Sequence, residues 1–227
     1  VMVFNHLLFL LIALVYTQTT SITQVVFVTK SKIFIIGLPR TSTTSTCAAL
    51  LDMGFTVAHT AYTDESILSA QAIADTPVFC DYKELDKRFP NAKFVYLERD
   101  LSLWIPSIRQ LLKRMHKNIV RNDGGFNPIL KRCYKKVFAP FTLEAFESDD
   151  FLKERYISHK REVEAYFSER PADLIFIDVS KNESYAQLAQ FVGVEKHEGN
   201  FEKLNIGGKI TAWNKIKHPL KVDSLLR

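Results

Sequence analysis

The sequence predicts an α/β fold of three layers, in which helices flank a central parallel sheet. Short apolar runs alternate with segments of helical periodicity along most of the 227 residues. Strands that alternate with helices pair in parallel through right-handed crossovers. Two of the apolar runs end in polar loops that lead into helical segments. Ligands of such sheets lie beyond the carboxyl ends of the strands, so these loops are the expected functional edge.

The first predicted strand covers residues 33–36, an apolar run rich in β-branched residues that suits burial on both faces. Gly37 ends the run, Pro39 stiffens the turn, and a row of hydroxyl residues follows. Residues 47–53 have a helical pattern, and Gly54 stands where a helix usually ends.

This strand, loop and helix together predict a binding site for a phosphate or sulfate group. The first-turn amides of a helix have no intrahelical partners, and the helix dipole places partial positive charge there. Arg40 adds a full positive charge to the loop. The alternative interpretation is a hydroxyl-rich turn that only caps an ordinary helix.

The other predicted elements depend on apolar spacing and capping residues. In chain order they are a strand over residues 56–59, a helix over 65–74 capped by Asp64, a helix over 83–89, a strand ending at Glu98, a helix from Trp104 or Ile105 to Val120, and a helix from Asp149 or Asp150 to about Glu169. The helix after Glu98 is placed that late because Pro106 is best tolerated in a first turn.

A second motif follows the strand that ends at Glu98. Arg99 at the strand end and Ser107 near the helix start are positioned to hold one phosphate between a guanidinium and a hydroxyl. An exposed ion pair of Arg99 with Glu98 or Asp100, and an ordinary helix-start hydroxyl at Ser107, are the alternatives. The strand before the pair and the helix after it favour the phosphate site.

The loop after the first strand lacks the lysine of a nucleoside-triphosphatase P-loop. That motif reads G-x-x-x-x-G-K-[ST], whereas here Ser42 replaces the second glycine and Thr43 the lysine. The loop instead resembles the 5′-phosphosulfate loop of sulfotransferases, which runs P-[KR]-[ST]-G-T-T. The residues that match this pattern are Pro39, Arg40, Thr41, Thr43 and Thr44.

Ser42 departs from the pattern, and the departure has a physical consequence. A glycine at this position takes positive φ and lets the backbone approach the anion closely. A serine reaches the same conformation only at an energetic cost; the alternative is that the loop settles into a slightly different conformation. The site is expected to survive, with a weaker affinity for the cosubstrate.

The second motif resembles the same superfamily. Arg99, Asp100, Trp104 and Ser107 match R-D-x-x-x-W-x-x-S, a form similar to sulfotransferase-like proteins of bacteria and simple eukaryotes. The resemblance implies a three-layer P-loop fold over residues 22–227. It also implies 3′-phosphoadenosine 5′-phosphosulfate (PAPS) as cosubstrate, with its 3′-phosphate on Arg99 and Ser107, and no required metal. The residues implied in cosubstrate binding are Pro39, Arg40, Thr41, Ser42, Thr43, Thr44, Ser45, Arg99 and Ser107.

The resemblance also implies catalytic roles. Arg40 would neutralise charge on the bridging and leaving oxygens during sulfuryl transfer to a hydroxyl or amine. An acceptor hydroxyl needs a general base within hydrogen-bond reach. Cytosolic sulfotransferases place a histidine before the 3′-phosphate arginine, at a distance that falls on Thr76 and Pro77 here. Asp75 is the first candidate for the base and His59 the second; a turn that ends a helix and a structural histidine are the alternatives.

Composition narrows the choice of partner and compartment. The net charge of +5 agrees with an anionic cosubstrate. No segment combines basic residues with stacking aromatics, so nucleic acid is not an expected partner, and a small-molecule or glycan acceptor is. The cysteines favour a reducing compartment, the cytoplasm, because they are odd in number and show no metal-ligand spacing: Cys47, Cys80 and Cys133.

The chain ends carry weaker signals. Residues 1–21 are interpreted as an apolar N-terminal extension or a weak membrane anchor. The run at residues 7–16 is too short to span a bilayer, and it lacks the flanks of a signal peptide; anchoring through residues 7–16 is the alternative to a cytoplasmic protein. Lys203 and Lys209 are candidate phosphate contacts, with a solvated tail as the alternative.

Two other functions stay open on the sequence. A P-loop nucleotide kinase would need a lysine in the place of Thr43 and an aspartate at a second strand end to hold magnesium. A non-catalytic nucleotide-binding or membrane-associated protein is compatible with Ser42, with the missing histidine and with the apolar N-terminus.

Overall fold

The computed structural model describes residues 31–195, 198–202 and 213–227. The predicted N-terminal extension at residues 1–21, with its apolar run, and the candidate lysines Lys203 and Lys209 lie outside the described residues. Within the described ranges, no helix is both long and apolar enough to cross a membrane.

A parallel sheet of five strands forms the centre of the fold. The strands are β1 (Ile33–Ile35), β2 (Val57–Ala58), β3 (Ala72–Ala74), β4 (Lys93–Glu98) and β5 (Leu174–Asp178). They lie in the spatial order β2-β3-β1-β4-β5. The predicted first strand is the central one, with Phe34 paired to Ile73 of β3 and to Phe94 of β4. Since every pair is parallel, all five carboxyl ends lie at one edge of the sheet.

Eight α-helices lie in the described part of the chain. They are α1 (Thr43–Asp52), α2 (Asp64–Ser69), α3 (Val78–Arg88), α4 (Leu101–Val120), α5 (Pro128–Val137), α6 (Leu143–Glu147), α7 (Asp149–Tyr166) and α8 (Ser184–Phe191).

Helices cover both faces of the sheet. Phe34 of β1 packs in a core with Tyr82 of α3 and Val163 of α7. Ile35, the next residue, packs in a separate core with Leu50 of α1 and with residues of α8. Successive residues of a strand point to opposite faces, so the sheet lies between two helical layers. The predicted three-layer α/β fold is confirmed.

The C-terminal residues cover the outer edge of β2. The Val57 amide donates to the Leu220 carbonyl, and the Val222 amide donates to the Val57 carbonyl, each at 2.9 Å. Lys221 forms a parallel bridge with Val57 between these two bonds. The backbone groups at the edge of β2 are therefore paired, which protects a strand edge from other chains.

The prediction of one helix over residues 65–74 is wrong. The helix α2 ends at Ser69, and Ala72–Ala74 form strand β3 between β2 and β1. All three strand residues are fully buried, and burial between two neighbouring strands outweighs the helical preference of alanine. The cap also differs, because the Thr63 hydroxyl, and not Asp64, accepts from the Ser66 amide at 3.1 Å.

The prediction that the fourth helix begins at Trp104 or Ile105 is also wrong, because α4 begins at Leu101. The Asp100 carboxylate accepts from the Ser102 amide at 2.7 Å, and the Asp100 carbonyl accepts from the Trp104 amide at 2.8 Å. This cap starts the helix one turn earlier and places Pro106 in the second turn. Similarly, α3 begins at Val78, before the predicted residue 83.

Candidate active site

A cavity of about 700 Å³ lies at the carboxyl edge of the sheet. Every strand contributes to its lining through the residues at or after its end. They are residues of the loop after β1, His59 after β2, Asp75 after β3, Arg99 after β4 and Asp178 at the end of β5. The site therefore lies where an open parallel sheet is expected to bind its ligand.

The loop after β1 is held close to the neighbouring strand. A Cβ atom on Gly37 would approach the Leu97 amide nitrogen of β4 to 2.8 Å, so only glycine fits there. The Thr41 hydroxyl, fully buried, donates to the Leu38 carbonyl at 2.7 Å. These contacts fix the start of α1 against the end of β1.

Ser42 is the residue before the first turn of α1 and has φ 74° and ψ 27°. This left-handed conformation is the one expected where the sulfotransferase pattern has glycine, and it costs a non-glycine residue about 1–2 kcal/mol. The Ser42 side chain makes no capping hydrogen bond to α1. The alternative of a hydroxyl turn that only caps the helix therefore does not describe this residue, and the anion-site interpretation is favoured.

Residues of the second motif form hydrogen bonds with the loop after β1. Arg40 donates from Nε to the Ser107 hydroxyl at 2.8 Å. Arg99 donates from Nη1 to the Arg40 carbonyl at 2.7 Å, and Trp104 donates from Nε1 to the Pro39 carbonyl at 3.0 Å. Three residues of the β4–α4 segment thus hold two consecutive residues of the loop.

Positive charge is concentrated where these two motifs meet. Burial lowers the pKa of Arg40, and the nearby charges of Arg99 and Arg114 lower it further. Burial also lowers the pKa of Arg99. Arginine remains charged in proteins, so the three guanidinium groups create a strong field that favours a multiply charged anion.

His59 contacts the threonines at the start of α1. Its Nε2 lies 3.0 Å from Oγ1 of Thr44 and 3.3 Å from Oγ1 of Thr43, and its ring packs 5.5 Å from the ring of Trp213. Burial lowers the pKa of His59, which favours the neutral imidazole. His59 is therefore within hydrogen-bond distance of two hydroxyl groups in the first turn of α1.

Asp75 has the properties expected of a proton acceptor. It lies at the end of β3 with φ 48° and lines the cavity. Burial raises the pKa of its carboxyl, while His59, the hydrogen bond from Thr76 and the charge of Arg40 oppose the rise. Carboxyl groups with raised pKa values in clefts are frequent in catalytic sites.

A family model described as a sulfotransferase domain matches residues 60–210, more than half of the chain. The chain belongs to the sulfotransferase domain family. A comparison with curated proteins found no match. The matched region begins after the loop that follows β1 and includes Arg99 and Ser107. The assignment of that loop therefore depends on its own residues and on the contacts that the second motif makes with it.

Most of the predicted site residues line the cavity, whereas Thr41 and Ser107 do not. Those that line it are Pro39, Arg40, Ser42, Thr43, Thr44, Ser45, His59, Asp75 and Arg99. The Thr41 hydroxyl is turned into the loop. Ser107 is not a lining residue but accepts a hydrogen bond from Arg40, which lines the cavity.

Further residues that no sequence motif identified line the cavity. Leu111 and Arg114 of α4 line the cavity, and they follow Ser107 at helical spacing, a signal that was available. Tyr134 also lines the cavity, but it belongs to α5, a helix that the sequence analysis did not predict. Asp178 at the end of β5, the four residues that follow it and Tyr185 in the first turn of α8 also line the cavity, and no catalytic or binding motif marked them.

Proposed function

We propose that this sulfotransferase moves a sulfuryl group from PAPS to a hydroxyl or amine acceptor. The observation that carries the proposal is the joining of two separate cationic elements on one loop. Arg40 of the loop bonds to Ser107, and Arg99 bonds to the Arg40 carbonyl. PAPS carries anionic groups at both its 3′ and 5′ positions, and two adjacent cationic elements suit such a ligand.

The groups around the loop fit the 5′ end of this donor. The first-turn amides of α1 and the hydroxyls of Thr43 and Thr44 are hydrogen-bond donors beside the cavity. Arg40 lies among them and makes no direct salt bridge to a carboxylate of the described residues, although the charge of Asp75 acts on it. When bound, the donor supplies the sulfuryl group, and Arg40 stabilises the charge that develops on the oxygens of the leaving phosphate.

The strand order places the residues proposed for the donor and for the acceptor on opposite sides of the loop after β1. Arg99 follows β4 and Asp75 follows β3, on opposite sides of the loop after β1. If PAPS binds at Arg99, the part of the cavity next to Asp75 is left for the acceptor. Displacements of this type proceed in line, with the entering and leaving oxygens on opposite sides of the transferred group. This arrangement supports an acceptor pocket beside Asp75, Leu111 and Tyr134.

Asp75 is the proposed general base, which accepts the proton from the acceptor hydroxyl. Its raised pKa makes it a better proton acceptor near neutral pH than an ordinary carboxylate. His59 is the weaker candidate, because its Nε2 is already within hydrogen-bond distance of Thr43 and Thr44. We assign His59 to the positioning of these threonines.

Calorimetric titration of the full chain with adenosine 3′,5′-bisphosphate, and separately with ATP and Mg²⁺, tests the donor. The proposal expects binding of the bisphosphate and weaker or no binding of ATP; preference for ATP with Mg²⁺ would point to the kinase alternative. Arg99→Ala should lose bisphosphate binding. Arg121→Ala is the matched control, since Arg121 at the far end of α4 pairs with exposed Asp123 and should bind as the wild type does.

A further inference from the structure

Two cysteines outside the active-site cavity lie close together. Cys80 is on α3 and Cys133 is on α5, far apart in the sequence. Their Sγ atoms and a carboxylate oxygen of Asp81 all lie within 4.8 Å of one another. The sequence showed no such pairing, because only the packing of α3 against α5 brings the thiols together.

The groups around the pair favour a thiolate over a bound metal ion. Arg132 lies 3.9 Å from Cys80 Sγ and donates two hydrogen bonds to the Asp81 carboxylate, one of them at 2.8 Å. A metal ion would have to displace this guanidinium to use Asp81 as a ligand. Lys136 adds a second positive charge near Cys80, and positive charge stabilises a thiolate.

The two thiols are not equivalent. A hydrogen bond from Cys133 lowers the pKa of Cys80, and the charge of Lys136 adds to this effect, whereas burial and the Asp81 carboxylate oppose it. The same hydrogen bond and burial raise the pKa of Cys133. Cys80 is therefore the better nucleophile of the two.

Access from solvent points to the same cysteine. Cys80 lines a small cavity of about 190 Å³ between α3, α5 and α7, together with Lys83, Lys136 and Arg155. Cys133 is fully buried behind it. A small reagent that enters this cavity thus meets Cys80 first and Cys133 second.

We infer that Cys80 and Cys133 form a modification site that exchanges with small-molecule disulfides. The Cys80 thiolate attacks one sulfur of the reagent, so its S–S bond breaks and one reagent thiolate leaves. The Cys133 sulfur, once deprotonated, then attacks Cys80 in the mixed disulfide and releases the second reagent thiol. Two protein thiols are oxidised to one disulfide, and one reagent disulfide is reduced to two thiols.

The bond would tie together two parts of the active-site wall, a consequence that rests on the proposed function. The Phe79 amide, beside Cys80, donates to the Asp75 carbonyl at 3.2 Å. Tyr134, beside Cys133, lines the active-site cavity and packs edge-on against Phe79 at 5.6 Å. The exchange reaction itself does not depend on the proposed function.

Mass spectrometry of the folded full chain tests the exchange. The protein is incubated with 2-hydroxyethyl disulfide, alkylated and digested. The intact mass before alkylation should fall by about 2 Da, because two thiol hydrogens leave, and the digest after alkylation should contain a peptide linked through Cys80 and Cys133. Cys133→Ser should stop at a mixed disulfide on Cys80, and Cys80→Ser should not react. Cys47→Ser should behave as the wild type, because Cys47 is buried in another core.

Three results would overturn the inference. One is a native wild-type chain that forms no cross-link while the denatured chain reacts. Another is modification of Cys133 before Cys80. The third is binding of one Zn²⁺ per reduced chain with loss of reactivity, which would assign the cluster to a metal. Thermal melting checks that each variant folds. If a variant does not fold, the presence or absence of the Cys80–Cys133 peptide in the wild-type digest tests the inference.

Discussion

Arg40 and Ser107 are joined by a hydrogen bond of 2.8 Å from Nε to Oγ, although they lie 67 positions apart in the chain. The bond connects the loop after β1 to the second turn of α4. This hydrogen bond restricts the orientation of the Arg40 guanidinium. A single hydroxyl on a helix thus holds the charged side chain of this loop.

Ser107→Ala should weaken the affinity for adenosine 3′,5′-bisphosphate by about tenfold, because a hydrogen bond to a charged group contributes about 1.5 kcal/mol. Calorimetric titration measures the change. Ser168→Ala is the control, since that exposed hydroxyl only donates to the Ala165 carbonyl. If Ser107 acts through Arg40, its removal should have little further effect in an Arg40→Ala background. A full, additive loss in the double variant would contradict this role.

Ser42→Gly should raise the free energy of unfolding by about 1 kcal/mol, because glycine adopts the left-handed conformation without steric cost. Bisphosphate affinity should be kept or improved. Urea unfolding measures the stability. Ser158→Gly, in the middle of α7, is the control and should destabilise by about 0.5 kcal/mol. A loss of stability in Ser42→Gly would show that the loop takes another conformation in solution.

Local signals predicted the backbone structure of the loop after β1. The strand before it, the turn and the helix N-terminus are all encoded within residues 33–54, and the positive φ of Ser42 followed from its place in the loop pattern. Strand β3 was missed for the opposite reason. Ala72–Ala74 carry no strand pattern of their own, and their conformation depends on burial between β2 and β1.

Contacts between distant segments were the part that the sequence could not predict. The bond between Arg40 and Ser107 joins the loop after β1 to α4, and no local spacing encodes that contact. Similarly, Tyr134 and the pair of Cys80 and Cys133 depend on how α5 packs, and no local pattern encodes that packing.

Asp75→Asn should keep bisphosphate affinity and lose turnover by about 10²–10⁴-fold, the usual contribution of a general base. The wild-type rate should fall as the pH is lowered through the raised pKa of Asp75, since only the ionised carboxylate accepts a proton. The variant should lack this acidic limb. Release of adenosine 3′,5′-bisphosphate from PAPS in the presence of phenol and sugar acceptors measures both. Unchanged turnover would remove Asp75 from the mechanism.

The same substitution should stabilise the fold at neutral pH. The folded-state pKa of Asp75 is raised above the ordinary value of 3.8, mainly by burial. The folded state therefore holds the proton more tightly than the unfolded state, and stability falls as the pH rises through this range. Asparagine has no charge to bury, so Asp75→Asn should melt at a higher temperature than the wild type at pH 7. A lower melting temperature would show that the carboxylate is paired in solution.

His159 should make the protein sensitive to acid. It is buried between β4 and α3, where Nε2 lies 2.7 Å from the Phe79 carbonyl and Nδ1 lies 3.3 Å from the Tyr96 hydroxyl. Burial lowers its pKa below 6.5; the Phe79 bond and Glu162 oppose this shift, whereas Lys83 adds to it. Below pH 6.5 the unfolded state binds a proton that the folded state does not, so stability falls as the pH is lowered.

His159→Gln should reduce this loss of stability, because glutamine cannot take up the proton and still offers hydrogen-bonding groups. Urea unfolding from pH 7.5 to pH 5 in about half-unit steps measures the slope, to which each such histidine contributes at most about 1.4 kcal/mol per pH unit. His59, whose pKa burial also lowers, should leave a residual slope in the variant. Ser168→Ala, which removes an exposed hydroxyl that does not titrate, is the control and should retain the wild-type slope. An equal slope in His159→Gln and the wild type would show that His159 takes up its proton without unfolding.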